Sequence, residues 1–211
     1  MFEKDCWQKK MIKLLKIEKL SEGNLVNTSV FGAIWGLAEV SLGSFLHASK
    51  IPFRGAIMSL VAVLILISAR SVLKYKGSLI LLGVVTATFR LFLGVGFNIT
   101  PFIAIFMEAL IAEIIINRIG FNRWTSVLSG ILIMVYSLSH GLIMQALFLG
   151  ADIYKVYYEM ILKVTNMISL PENVVLAIIF SIPFLYIFMG AIAGSFGWSV
   201  GKQIQLLMEK E

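Results

Sequence analysis

Four ionisable side chains stand inside long runs of apolar residues: Glu39, Arg90, Glu108 and His140. Such a group at mid-depth in a membrane costs a few kcal/mol or more unless it is paired or faces a polar cavity. Two carboxylates, a guanidinium and an imidazole offer three kinds of chemistry. Arg90 or His140 can hold an anionic or hydrogen-bonding group of a solute, while Glu39 and Glu108 accept hydrogen bonds or balance a cationic ring. Glu39, Glu108 and His140 can instead serve an intramembrane enzyme as acid–base groups. Glu108 can also cycle through protonation in a proton-coupled secondary carrier. His47, Arg54 and Asn98 lie near span ends and are expected to roof the same polar layer.

The stretch Arg90–Glu113 organises these groups. Gly94, Gly96, Asn98, Thr100 and Pro101 interrupt it. A helical hairpin turning near residue 99 puts Arg90 and Glu108 at one depth, so a buried pair is expected between them. Glu108 and Glu113 are five residues apart, about 140° around a helix, and do not form a paired-carboxylate site. Glu113 lies nearer the other surface and is expected to cap or pair locally. Ser137 and Ser139 precede His140 closely, but a serine in a membrane helix more often bonds back to its own backbone. There is no HExxH, Walker or Asp-rich phosphate motif. Cys6 is the single cysteine, which excludes an intramolecular disulfide and a cysteine metal cluster. No cofactor and no nucleic-acid partner are expected. Asn98-Ile99-Thr100 matches a glycosylation acceptor at the edge of a span.

The elements that must position these residues are membrane spans. The 211 residues are 59% hydrophobic and 14% charged, against about a quarter charged in an ordinary soluble domain. The apolar residues fall in long blocks, which indicates an all-α membrane protein with six transmembrane helices in a compact bundle. The spans are expected at 28–47, 53–72, 77–97, 101–117, 124–150 and 173–201. Residues 1–27 read as an amphipathic basic leader helix ended by Ser21, Gly23 and Asn24, suited to an anionic lipid surface. Residues 151–172 read as an interfacial helix or lid before the last span, and 202–211 as a cytoplasmic tail. The second span, without a charge between Arg54 and Arg70, is expected to face lipid. Pro183 is expected to kink the sixth.

With the N-terminus inside, the outer segments carry only Lys50, Arg54, Lys155 and Lys163, Arg90 is within a span, and all other lysines and arginines are inside. That bias predicts a multi-pass protein of the inner (plasma) membrane with both termini cytoplasmic. Gly32, Gly36, Glu39, Gly43 and His47 share one face of the first span, and Gly190, Gly194, Gly197 and Gly201 one face of the last. Small residues on a stripe let another helix approach closely.

A basic leader, the small residues Gly32, Ala33 and Gly36, the loop ending Ile51-Pro-Phe-Arg-Gly55 and the glycine-rich connection 94–101 together carry a resemblance. The chain is similar to the substrate-binding S components of energy-coupling factor (ECF) vitamin transporters, over nearly its whole length. In that family a small-residue motif of the first helix docks onto a transmembrane coupling subunit, and solute binds toward the outer face. The resemblance implies capture of a small polar solute, a vitamin or precursor. It also implies transfer to a coupling subunit and ATPases on other chains. Gly32, Ala33, Gly36, Gly190 and Gly194 are then the residues expected for helix packing or partner docking.

Overall fold

The computed structural model describes residues 22–49, 54–93, 99–150, 152, 155, 158–159, 161–162 and 173–210. Among the described residues the architecture is all-helical: α1 (Glu22–Ala48), α2 (Arg54–Val72), α3 (Ser78–Leu93), α4 (Ile99–Ile119), α5 (Arg123–Leu149) and α6 (Asn173–Met208). Residues 1–21 and most of 151–172 lie outside the described residues. So do the expected leader helix, most of the expected lid, Asn98 and the loop residues 50–53.

Five of these helices, all except α3, are long and apolar enough to cross a membrane. Described α3 has 16 residues, a length of roughly 24 Å against a hydrocarbon core of about 30 Å. Its expected end at residue 97 falls in the undescribed connection 94–98. Two boundaries differ from expectation. Gly23 and Asn24 sit inside the first turn of α1, where the Thr28 hydroxyl donates back to the Asn24 carbonyl at 2.8 Å. The expected tail is helical to Met208, as the last turns of α6.

The second span is not lipid-facing. Among the described residues α2 touches each of the other five helices, which follow one another around it in the order α1, α3, α4, α5, α6, with no contact between α1 and α6. Ala62, Val63, Leu66 and Ile67 of α2 are completely buried. A helix apolar on every side belongs in the middle of a bundle as readily as against lipid. Its small serines decide which: Ser68 and Ser71 donate to the Gly197 and Gly201 carbonyls of α6, at 3.3 and 2.8 Å. Lipid-like faces lie instead on the surrounding helices, as on α6, where Phe180, Phe184, Phe188, Ile192 and Phe196 are exposed at every fourth position.

The glycine stripes are used within the chain. A Cβ at Gly32 or Gly36 would meet Val85 or Phe89 of α3. One at Gly190 would meet the Gly130 carbonyl, and one at Gly194 the Ser126 carbonyl, so α5 and α6 cross backbone to backbone. These four glycines are therefore covered by neighbouring helices of the same chain and are not a free docking surface. Ala33 is half-buried beside them.

Candidate functional site

The hairpin register follows from one close contact. Gly83 of α3 lies against Ala109 of α4. Seven residues further along α3, Arg90 is level with Phe102, not Glu108. The offset from the expected register is six residues, roughly 9 Å along the axis. α4 already begins at Ile99, with Pro101 tolerated in its first turn. The expected Arg90–Glu108 pair is therefore not formed: the structure has no ion pair between them.

Arg90 turns toward α1. Its Nη2 and Cζ approach Gly43 so closely that a Cβ there would lie 3.6–3.7 Å away, in ordinary contact. Gly43 is thus the point at which the guanidinium packs against α1. The Arg90 charge acts on Glu39, which is 6% exposed on the same face of α1, though not at ion-pair distance. The wholly buried Trp35, one turn before Glu39, directs its indole toward that carboxylate without closing a hydrogen bond of normal geometry. Among the described residues Arg90 Nη1 is buried with no acceptor.

Glu108 enters the layer from α4 and is 4% exposed. Ser59 of α2 donates to its Oε1 at 2.5 Å and lies 2.7 Å from the Ser137 hydroxyl of α5. Glu39 and Tyr136 are its electrostatic neighbours. Among the described residues no cation forms an ion pair with Glu108. Tyr136 closes the layer by bonding His140 Nδ1 at 3.1 Å. The His140 ring lies beside the Thr100 backbone, and among the described residues its Nε2 makes no hydrogen bond of normal geometry. Ser139 bonds back to the Val135 carbonyl, as membrane serines do, whereas Ser137 reaches across to α2. At the Arg54 end of the bundle, the Arg54 guanidinium contacts His47 Nδ1 across the loop joining α1 and α2. Asn98 lies outside the described residues.

Glu39, Arg90, Glu108 and His140 thus belong to one layer as a chain of neighbours, with Trp35, Ser59, Tyr136 and Ser137 between them. Those four intermediates were not anticipated as site residues. Trp35 precedes Glu39 by four residues and Tyr136 precedes His140 by four, a spacing that places each pair on one helical face. The contact between Ser59 and Glu108 has no such local signature. Among the described residues no group of three His, Cys, Asp or Glu is placed to hold a metal ion.

A second polar cluster lies at the other end of α2. Arg70, expected at the solvated basic end, is buried there. Its Nη1 donates to the Tyr75 carbonyl at 2.7 Å and to Ser78 at 2.9 Å, and its Nη2 to Asn117 at 2.9 Å. Glu113 accepts from the Leu79 amide at 2.9 Å and from the Gly77 amide, capping α3 as its position implied. Arg70 and Glu113 approach to 3.9 Å. The Glu113-to-Asn117 spacing of four residues was the available signal. A shallow groove lined by Arg123, Trp124, Val127 and Ser195 is remote from the polar layer and open to the surroundings, with Trp124 82% exposed. No family model, curated protein or solved structure matches the chain.

Proposed function

We propose that this membrane protein captures a small polar solute in the layer formed by Glu39, Arg90, Glu108 and His140. It then passes the solute to a transmembrane coupling subunit and ATPases on other chains. The bilayer would be the plasma membrane, with both chain termini cytoplasmic and the Arg54 end outside, as the basic-residue bias implies. The observation that carries the reading is Arg90, whose buried Nη1 has no acceptor among the described residues while its neighbour Glu39 stays beyond ion-pair distance. A buried donor left without a partner costs about 1–3 kcal/mol, more for a charged group, and an acceptor on an incoming solute removes that cost. The resemblance to S components supports the hand-over step. Their docking role cannot fall to Gly32, Gly36, Gly190 or Gly194, which are covered within the chain.

The test is mass spectrometry of the gently purified protein. A small solute should travel with the wild type and be lost from Arg90→Ala while helicity and thermal stability hold. Copurification with an ATPase pair should accompany it. A preparation that carries no solute and binds none from a cell extract would remove the reading.

A further inference from the structure

Glu108 presents a charge-balance problem that solute capture leaves open. Glu108 is buried, as are Ile105 and Ala109 on its own helix and Ser59, its hydrogen-bond partner on α2. The titratable and charged groups facing it are few. α1 brings Glu39, whose charge adds to that of Glu108. α3 brings Arg90, which is level with Phe102 and turned toward Gly43. α5 brings Tyr136 and His140, already bonded to each other. α2 has charges only at its ends, Arg54 and Arg70, and Arg70 is held in the far cluster. An ionised carboxylate without a counter-charge in such a place is strongly disfavoured.

Ser59 and Ser137 supply the route. Their hydroxyls join Glu108 Oε1 to the half-buried Ser137 in two steps, 2.5 and 2.7 Å long. Ser137 points toward the Arg54 end: a Cβ at exposed Gly55 would lie 3.8 Å from its Oγ. Each hydroxyl can donate in either direction, so the chain suits both forms of Glu108. When Glu108 is ionised, Ser137 donates to Ser59 and Ser59 to the carboxylate. When it is protonated, every bond points the other way.

We propose that Glu108 is an exchangeable proton site, loaded and unloaded from the Arg54 end through the hydroxyls of Ser137 and Ser59. On loading, water gives a proton to Ser137 Oγ, the proton of Ser137 passes to Ser59 Oγ, and that of Ser59 passes to Glu108 Oε1. The carboxylate becomes a carboxylic acid, the water loses one proton, and rotation of the two hydroxyls restores the chain. Nothing is oxidised or reduced. The exchange needs no solute, so it stands or falls separately from the capture reading.

Infrared difference spectroscopy on the purified full chain, without added solute, tests it. A step to alkaline pH should remove a protonated-carboxyl band that is absent in Glu108→Gln and present in Glu39→Gln. Ser59→Ala and Ser137→Ala should slow loss of that band by on the order of tenfold or more, with the hydroxyl-retaining Ser137→Thr recovering the rate. Gly55→Val, which covers Ser137 and leaves both hydroxyls in place, should also slow it and guards against a Ser59 variant that folds poorly. A band unchanged by Glu108→Gln would overturn the proton site. Wild-type rates in Ser137→Ala and Gly55→Val would overturn the route and the proposal with it.

Discussion

The two ends of α2 hold the same residue types to opposite effect. At the Arg70 end, an arginine, a glutamate, an asparagine and a serine satisfy one another and the loose ends of two helices. In the layer nearer Arg54, an arginine and two glutamates form no ion pair among the described residues. The first arrangement answers every buried charge and fixes how α2, α3 and α4 meet. The second leaves a guanidinium nitrogen and a carboxylate without opposite partners inside a packed bundle. A fold has no use for that cost by itself, so the incomplete cluster is the better candidate for function.

Breaking the complete cluster should have the largest effect. Glu113→Ala removes the α3 cap and strands Arg70, which predicts a loss of about 3–5 kcal/mol in unfolding free energy. Denaturant titration in micelles checks it, and a loss below about 1 kcal/mol would mean the cluster is not the staple its geometry describes. Solute binding by the folded fraction should be retained.

The incomplete cluster should respond differently. Arg90→Met and Glu108→Gln are expected to add in stability to within about 0.5 kcal/mol, because the two side chains do not touch. Arg90→Met and Glu39→Gln should instead couple, by roughly 0.5–3 kcal/mol, because the arginine acts on that carboxylate. Thermal unfolding of the two double-mutant cycles separates these cases. Strong coupling to Glu108 and none to Glu39 would restore the hairpin register that the Gly83–Ala109 contact rules out.

The smallest effect is expected at the rim. His47 and Arg54 are both exposed, and His47→Ala should change stability by no more than about 0.5 kcal/mol. The same melting assay checks it. A larger loss would show that the α1–α2 loop contact belongs with the structural cluster.

Much of this fold was already written in the order of residues. The apolar blocks placed the helices to within a few residues at most ends, because hydropathy is a sum over neighbours in the chain and needs no partner. The same blocks made Glu39, Arg90, Glu108 and His140 conspicuous, since a charge in an apolar run stands out wherever the run is packed. The depth of Glu113 points to a cap or a local pair, and the structure shows both. What the sequence by itself left undecided is rotation and register. A charge-free helix such as α2 suits the centre as well as the edge, and only its contacts with five neighbours made it the axis. A turn near residue 99 would make Arg90 and Glu108 level. The contact of Gly83 with Ala109 shifted them by more than a turn and gave Arg90 to Gly43 and Glu39. Ser59 and Ser137 are 78 residues apart. They meet only because α2 and α5 pack side by side, and no local pattern encodes a contact that two separate helices make in space.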